Sequence, residues 1–385
     1  MSKKVFAIIM AAAMMLACLA GCGNDAPASS KAVIKIGGIG PLTGGAATYG
    51  IATKNGAQIA VDEINAKGGL QFELNFQDDE ADGEKGVNAY NNLKDWGMQI
   101  LYGCTTTGSC VAVSGETYAD RYFQLTPSAS STDVTAGKDN VFQMCFTDPN
   151  QGIAAADYVK ANNLGTKLSV LYNNSDAYST GIATAFVARA QELGMDVVAQ
   201  VTFPDDTNTD FSTQLNEAKA AGADMMFLPI YYTPASLMLA QAKDMGYAPT
   251  FFGADGMDGI LTLDGFDASL AEGLMLMTPF NATATDERTQ NFVKTYTEKF
   301  GTETLNQFAA DGYDCIYAIY EACQKNGITS SSKATEICDK LIATFTSADF
   351  KIDGLTGTGM GWTTAGEISK TPMVVEIVNG AYETK

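Results

Sequence analysis

The chain has 385 residues, of which 46% are hydrophobic and 18% are charged, and its formal net charge at pH 7 is −20. This length and composition favour a globular protein of about two domains, and the negative charge leaves no basic surface that could bind a nucleic-acid backbone. The sequence contains no histidine, which excludes Ser-His-Asp and Cys-His catalysis, His-ligated zinc and acid–base chemistry by an imidazole. Because of the negative net charge, we expect no nucleic-acid partner.

The first 22 residues are predicted to be an export signal. Lys3 and Lys4 precede an uncharged apolar stretch at 5–19, which is shorter than a membrane-spanning helix. Residues 19–22 (LAGC) are similar to the lipobox of bacterial lipoproteins, in which the cysteine, here Cys22, is diacylated and becomes the first residue of the mature chain. Residues 23–32 would then form a polar tether, and two acyl chains suffice for stable anchoring. A plain secretory signal with an incidental cysteine is the alternative.

Six cysteines follow the predicted signal and Cys22, and they contain no CxxC pair. They are Cys104, Cys110, Cys145, Cys315, Cys323 and Cys338. Without histidine, this set argues against a zinc site. Export permits disulfides, and the pairs left open are Cys104 with Cys110 and Cys323 with Cys338. Cys315 and Cys323 are excluded as a pair, because they lie about 12 Å apart along a predicted helix. Buried free thiols are the alternative.

Predicted strands and helices alternate along most of the chain, beginning with a β-branched run at 33–39 that ends in glycines. Further strands are predicted at 72–76, 100–102, 122–125 and 141–146, then at 168–172, 197–203, 225–228, 250–252 and 274–277, and at 373–378 near the end. Helices are predicted at 52–64, 87–93 and 111–119, then at 153–161, 182–193, 211–220 and 237–245, and finally at 292–300, 308–326 and 334–345.

This alternation predicts an α/β fold, because repeated βα units form parallel sheets that helices cover on both faces. The pattern restarts near Gln151, so we predict two Rossmann-like lobes with parallel central sheets, joined by a hinge of several strands. We assign 33–147 plus 279–362 to the first lobe, and 148–278 plus 363–385 to the second. Ligands of open parallel sheets lie beyond the carboxyl ends of the strands, so the predicted site is the cleft between the lobes.

The glycine-rich turn at 38–45 does not fit a dinucleotide-binding motif, because Thr43 takes the place of the third glycine and Pro41 lies inside the turn. The sequence has no phosphate-binding P-loop, and Asp255 and Asp258 lack the spacing of a calcium-binding loop. The acidic run at 78–80 leaves a carbohydrate-active enzyme with paired carboxylates as a remote alternative. We expect no cofactor and no metal site.

Several short motifs are informative because of their order. Residues 40–44 (GPLTG) follow the first predicted strand, and the helix after them ends in 62–69 (DEINAKGG). The others are 78–79 (DD), 103–107 (GCTTT), 126–130 (TPSAS), 176–178 (DAY), 210–212 (DFS), 253–256 (GADG) and 308–314 (FAADGYD). Together they resemble the branched-chain amino-acid substrate-binding proteins, which are the leucine/isoleucine/valine-binding family of the type I periplasmic-binding fold and serve ABC importers.

The resemblance implies that the first lobe binds the α-carboxylate of an amino acid. Thr105 matches a residue that offers its hydroxyl and backbone N–H to the carboxylate, and a helix N-terminus there would add positive partial charge. Ser128 and Ser130 match positions that hold the carboxylate and the ammonium, and Tyr49 matches an aromatic residue that covers the ligand side chain. A helix cap at Thr105 and a serine-rich turn at 128–130 are the alternatives.

In the second lobe, Tyr178 and Tyr231 match residues that close over the ligand, and Tyr232 is the candidate if the register shifts by one. Asp255 matches the carboxylate that receives the α-ammonium. Better-known members have glutamate there, and the shorter aspartate argues against strict specificity for leucine, isoleucine and valine. Phe308 matches an apolar wall of the side-chain pocket. Core packing is the alternative role for the tyrosines and for Phe308.

The resemblance implies a solute-binding lipoprotein on the outer face of the bacterial cell membrane. It would be a monomer without catalytic activity that captures a branched-chain or other apolar or aromatic amino acid by lobe closure. It would deliver this ligand to the permease of an ABC importer. A ligand-sensing lipoprotein of the same fold that binds an amide or an aromatic acid is the alternative, and the sequence alone does not separate the two.

Overall fold

The structure is a computed structural model that describes residues 32–204 and 208–385. The predicted export signal, the predicted lipidation site Cys22 and all of the predicted tether except Ala32 lie outside the described residues. Among the helices that the structure describes, none is both long enough and apolar enough to cross a membrane.

The first part of the chain forms a five-stranded parallel sheet with the strand order β2-β1-β3-β4-β5. Its strands are β1 (Ile34–Gly40), β2 (Phe72–Asp78), β3 (Ile100–Gly103), β4 (Gln124–Thr126) and β5 (Val141–Gln143). Strand β1 pairs on both sides and is almost entirely buried, as expected for a parallel strand covered by helices on both faces.

The second part of the chain forms a seven-stranded sheet with the order β12-β11-β10-β9-β8-β6-β7. Its strands are β6 (Lys167–Asn173), β7 (Asp196–Phe203), β8 (Met225–Leu228), β9 (Thr250–Gly253), β10 (Met275–Thr278), β11 (Met373–Val378) and β12 (Ala381–Thr384). Strands β6 to β10 pair in parallel, whereas β11 and β12 are antiparallel additions at one edge. The predicted α/β class with two mainly parallel sheets is confirmed.

Ten α-helices connect these strands within the described residues. They are α1 (Ala47–Lys67), α2 (Gly83–Trp96), α3 (Thr107–Asp120), α4 (Asp148–Asn162), α5 (Ala177–Glu192), α6 (Ser212–Ala220), α7 (Tyr232–Asp244), α8 (Glu287–Phe300), α9 (Gln307–Lys325) and α10 (Ala334–Phe345). The side chains of Asp82, Asp176 and Asp286 cap α2, α5 and α8. Helix α4 begins earlier than predicted, because Asp148 and Pro149 form a favourable first turn without apolar periodicity.

Helices α1 and α9 cross at very close range. A Cβ atom at Gly56 would lie 1.8 Å from the carbonyl oxygen of Ala309, and one at Gly312 would lie 2.5 Å from the carbonyl oxygen of Thr53. Glycine at both positions therefore lets the two backbones touch. This contact brings the start of α9 beside the start of α1, where the ring centroids of Phe308 and Tyr49 are 4.3 Å apart.

The six cysteines of the described residues are buried free thiols. The two disulfides that the sequence left open are therefore not formed, and the alternative of free thiols applies. Burial raises the pKa of Cys323 and of Cys338 to about 12. Both thiols are consequently protonated and poorly nucleophilic at neutral pH.

The segment after Trp362 contacts the five-stranded sheet before the chain enters β11. The indole N–H of Trp362 donates to the carbonyl of Gln143 (2.8 Å), and the backbone N–H of Gln143 donates to the carbonyl of Gly366 (2.9 Å). The Nζ atom of Lys370 lies 2.8 Å from Oδ1 of Asp311 on α9. Because these contacts continue to Lys370, we propose that the last crossing between the lobes follows this residue rather than residue 362.

Candidate functional site

Loops from the carboxyl ends of strands in both sheets meet around a cavity of about 240 Å³. Its lining residues are Tyr49, Thr105, Thr106, Thr107, Ser128, Tyr178, Tyr231, Asp255, Gly256 and Phe308. Seven of the eight ligand-binding residues predicted from the sequence are in this set, and Ser130 is not. The cavity lies where open parallel sheets generally bind their ligands.

A second cavity, of about 620 Å³, lies beside the outer face of α9, and Tyr313 and Tyr317 contribute to its lining. The hydroxyls of these two tyrosines donate to the same carboxylate oxygen of Glu63 at 2.6 and 2.7 Å. Asp314, which also lines it, accepts hydrogen bonds from the backbone N–H groups of Leu355 and Thr356. These polar groups already have partners, and no strand of the described residues ends at this cavity. We therefore place the candidate site in the cavity between the sheets.

The loop between β3 and α3 forms the first wall of this cavity. Thr106 precedes the first residue of α3 in an extended conformation, and its side chain does not cap the helix. Its hydroxyl oxygen is buried and has no hydrogen-bond partner among the described residues. The first N–H groups of an α-helix also lack acceptors within the helix. Together, the buried hydroxyl and these N–H groups suit a bound anion.

Hydrogen bonds between hydroxyl groups and the backbone hold this wall in place. Oγ1 of Thr105 lies 3.2 Å from Oγ1 of Thr53 on α1, and the hydroxyl of Ser128 donates to the carbonyl of Thr105 (2.9 Å). The backbone N–H of Ser130 donates to Oγ1 of Thr107 (3.2 Å). Ser130 is fully buried behind the wall, so it supports the loop and does not line the cavity.

The opposite wall carries the carboxylate of Asp255, directly after β9. Only 4% of this residue is exposed. One carboxylate oxygen accepts a hydrogen bond from the hydroxyl of Tyr178 (2.8 Å), and the backbone N–H of Asp255 donates to Oε1 of Gln151 (3.2 Å). Burial raises the pKa of Asp255 to about 6, although the hydrogen bond from the Tyr178 hydroxyl opposes the shift. A carboxylate with these neutral partners is suited to receive a cation.

Aromatic rings form the remaining walls. Tyr178 and Tyr231 stack with their centroids 5.2 Å apart, and Tyr49 meets Tyr231 edge to face at 5.4 Å. Phe308 closes the set by packing on Tyr49. Tyr232 also contacts Tyr49, at 5.0 Å, but it is not part of the lining. Of the two neighbouring tyrosines that the sequence offered, Tyr231 therefore lines the cavity and Tyr232 does not. The aromatic walls would suit an apolar side chain of a ligand.

Direct hydrogen bonds join the two walls. The hydroxyl of Tyr49, on α1, donates to the carbonyl of Gly256 in the loop after β9. The same hydroxyl accepts a hydrogen bond from the backbone N–H of Tyr232 (3.3 Å), and the hydroxyl of Thr233 donates to the carbonyl of Gly45 (2.9 Å). The structure is therefore a closed form, in which the loops of the two sheets touch.

Three residues that line the cavity were not among the ligand-binding residues predicted from the sequence: Thr106, Thr107 and Gly256. The run of three threonines directly after a strand was a usable signal for the first two, because such a loop opens a helix at its N-terminus. Gly256 contributes through its backbone, whose N–H donates to the hydroxyl of Tyr178 (2.9 Å). Sequence patterns carry no comparable signal for a backbone contact of this kind.

The family comparison agrees with the fold and the site. A model of the periplasmic binding protein family matches residues 33–381. The Leu/Ile/Val-binding protein homolog 3 of Brucella melitensis is 35% identical over 234 residues, which is 60% of this chain and 63% of that protein. The leucine-, isoleucine-, valine-, threonine- and alanine-binding protein of Pseudomonas aeruginosa is 25% identical over 84% of this chain and 86% of its own length.

Solved structures show the same architecture. The isoleucine complex of the branched-chain amino acid transporter substrate-binding protein LivJ from Streptococcus pneumoniae superposes with a TM-score of 0.81, at 28% identity, over 91% of this chain and 98% of that one. The chain belongs to the periplasmic binding protein family, and its fold is type I. The resemblance seen in the sequence is thereby confirmed. This is a family of solute-binding proteins, not of enzymes, and membership implies a location outside the cytoplasm.

Proposed function

We propose that this protein is the solute-binding component of an ABC importer and that it captures an amino acid with a branched-chain or other apolar or aromatic side chain. The observation that carries the proposal is the pairing of an anion site and a carboxylate on opposite walls of one cavity. Thr106 and the start of α3 form the first, and Asp255 forms the second. A zwitterion needs both groups at once.

Binding would proceed by closure of the lobes. The α-carboxylate would meet the N–H groups and hydroxyls at Thr105 and Thr106, and Ser128 would turn its hydroxyl from the Thr105 carbonyl towards it. The α-ammonium would meet Asp255. The side chain packs against the aromatic rings. Each charge-assisted hydrogen bond contributes about 1.5–3 kcal/mol net. Because the two charged sites lie on different lobes, only the closed form satisfies both ends, and ligand shifts the equilibrium towards it.

The closed and loaded protein would be recognised by the permease, with Cys22 carrying the lipid that anchors a monomer to the outer face of the cell membrane. The lipobox-like residues 19–22 support the anchor, and they lie outside the described residues. The family supports the permease as partner. The chain matches 63% of the length of two relatives, from Brucella and Rhizobium. The proposed activity and partners of this protein therefore rest on its site and on its family fold.

A ligand-sensing lipoprotein that binds an aromatic acid is the second candidate. A solute-binding protein from Rhodopseudomonas palustris in complex with 4-hydroxybenzoate has the same fold, with a TM-score of 0.81 at 19% identity. The aromatic rings around this cavity are compatible with such a ligand. The buried carboxylate of Asp255 favours the first candidate. A benzoate carries no positive group that would stabilise the ionised form of Asp255.

A ligand screen by thermal shift tests the proposal. The mature chain from Gly23 is unfolded and refolded to remove bound ligand, then heated with each of the common amino acids, aromatic acids, amides, sugars and short peptides. A ligand at 100 times its Kd adds about 2.7 kcal/mol of stability, which raises the Tm by several degrees. We expect a shift with one group of L-amino acids. A shift only with molecules that lack an α-ammonium would contradict the amino-acid assignment.

The affinity for an amino acid should rise with pH up to about 6 and then level off. Burial raises the pKa of Asp255 to about 6, and the α-ammonium binds the ionised carboxylate. Below that pKa, binding must first release a proton, so the affinity falls about tenfold for each pH unit. Isothermal titration calorimetry with the best amino acid, from about pH 4.5 to pH 8, measures this dependence.

Two other buried carboxylates titrate in the same range, because burial raises the pKa of Asp258 to about 6 and that of Asp311 to about 7. Burial also raises the pKa of Asp148 well above its usual range. Calorimetry in two buffers with different ionisation enthalpies counts the protons released, and Asp255 accounts for one at most. In an aromatic-acid binder the sign is reversed, because the protonated form of Asp255 tolerates an anion better and the affinity falls as pH rises through about 6. A flat profile would contradict the ammonium role.

A further inference from the structure

Among the described residues, two hydrogen bonds to Gln307 attach the loop after β9 to α9. The backbone N–H of Gln307 donates to Oδ2 of Asp258 (3.0 Å), and its side-chain Nε2 donates to the carbonyl of Asp255 (2.7 Å). All three residues are buried, with at most 4% of each exposed. The loop extends from the seven-stranded sheet, whereas α9 packs on α1 beside the five-stranded sheet. These bonds therefore cross between the two lobes.

Asp258 acts as a cap for a helix of the other lobe. Gln307 is the first residue of α9, a position whose N–H has no acceptor within the helix. The preceding residue, Asn306, caps the next N–H, that of Phe308, at 3.1 Å. Asp258 supplies the acceptor for Gln307, and its negative charge is favourable at the positive end of the helix. Its other oxygen accepts from the hydroxyl of Tyr382 (2.9 Å), so both oxygens have a partner.

Each of the two contact residues lies close in sequence to a residue that lines the cavity. Asp255 lines the cavity and Asp258 follows it by three positions, while Gln307 directly precedes Phe308, which lines the cavity from the other side. The Asp258 and Gln307 side chains are not themselves part of the lining. Because the hydrogen bonds join protein atoms, they stabilise the closed form whatever ligand the cavity holds, and they fix the backbone of the ammonium-binding residue.

We propose that Asp258 and Gln307 are positioning residues that form a latch between the lobes and set the lifetime of the closed complex. The inference rests on the proposed function for its ligand, but the latch itself is a property of the protein. The latch assembles only after the lobes have met. It should therefore control the rate at which ligand leaves, and it should have little influence on the rate at which ligand arrives.

Two substitutions test the latch. Gln307→Ala removes the bond to the Asp255 carbonyl and keeps the backbone N–H, whereas Asp258→Ala removes the cap of α9. We expect L-leucine to dissociate about tenfold faster or more from each variant in stopped-flow experiments, with association within about twofold of wild type. Asp258→Asn should recover part of the loss, because its amide oxygen can still accept from Gln307. Thr233→Val, which removes a hydrogen bond at the exposed rim of the cleft, is the matched control and should change dissociation less than about twofold.

The test is separate from the ligand assignment, because the dissociation rate can be measured with whichever ligand the thermal-shift screen identifies. If wild type does not bind L-leucine, that ligand assignment fails, and the dissociation rates of the identified ligand from wild type, Thr233→Val and the two latch variants still decide the latch. An unchanged dissociation rate in folded Asp258→Ala and Gln307→Ala proteins would overturn the proposal.

Discussion

Asp255→Ala should weaken amino-acid binding by about 30-fold to 5,000-fold and leave the protein folded. Removal of one partner of a buried, hydrogen-bonded charge pair costs about 2–5 kcal/mol, mostly because the other charge stays buried without compensation. Here the uncompensated charge would be the α-ammonium, since the neighbouring Tyr178 hydroxyl is neutral and cannot replace the negative charge of the carboxylate. Isothermal titration calorimetry with the amino acid that emerges from the ligand screen measures the loss.

Asp255→Asn is the matched variant, because it keeps the shape of the side chain and an acceptor for the Tyr178 hydroxyl. It should lose most of the affinity, like alanine. Its ligand-free stability should not fall, because burial raises the pKa of Asp255 and so disfavours its ionised form at neutral pH. Full affinity in either variant would exclude Asp255 as the ammonium site, whereas a misfolded Asp255→Asn protein would point to a structural role for the carboxylate.

Lys370→Met should lower the free energy of unfolding by about 3–5 kcal/mol, the usual effect of breaking a buried ion pair from one side. The side chains of Lys370 and Asp311 are only 1% and 2% exposed, and Nζ lies 2.8 Å from Oδ1. Burial raises the pKa of Asp311 to about 7 even though Lys370 opposes the shift. Without the ammonium this carboxylate protonates more readily, so the loss should be larger at about pH 8 than at about pH 6. Chemical denaturation followed by circular dichroism at both pH values measures it.

A double variant, Lys370→Met with Asp311→Leu, should recover much of the stability, because it removes both buried charges together. Lys340→Met is the surface control. Lys340 pairs with Glu336 one helical turn away, where the two side chains are 39% and 51% exposed, and its loss should cost less than about 0.5 kcal/mol. Equal effects at Lys370 and Lys340 would contradict the argument from burial.

The fold class and the position of the site could be predicted largely because both follow from local patterns. A β-branched run followed by a glycine-rich or threonine-rich loop, as at Thr105, marks the carboxyl end of a parallel strand, and ligands bind at such ends. Asp255 was predicted from the family resemblance, and its place directly after β9 agrees with the same rule. The burial of Ser130 was missed, because alternate residues of a serine-rich turn can face in either direction.

Contacts between distant segments were not predictable from patterns of this kind. Asp258 and Gln307 are 49 positions apart, and Lys370 and Asp311 are 59 apart. Neither pair has a local signature, since an aspartate beside glycines or a lysine before a strand is ordinary at a protein surface. Only the folded chain shows that these four residues are buried and that each has a specific partner in another segment.

The three different walls of the cavity have a stereochemical consequence. The helix start at Thr106, the carboxylate of Asp255 and the ring of Phe308 present an anion site, a cation site and an apolar surface. A tetrahedral carbon whose carboxylate, ammonium and side chain each meet the matching wall can do so in one hand only. Its mirror image must leave one charged group or the side chain against the wrong wall, which leaves buried polar groups unpaired. If the proposed site holds the α-carbon on one side of these walls, it would therefore distinguish the enantiomers of an amino acid, whichever side chain the ligand carries.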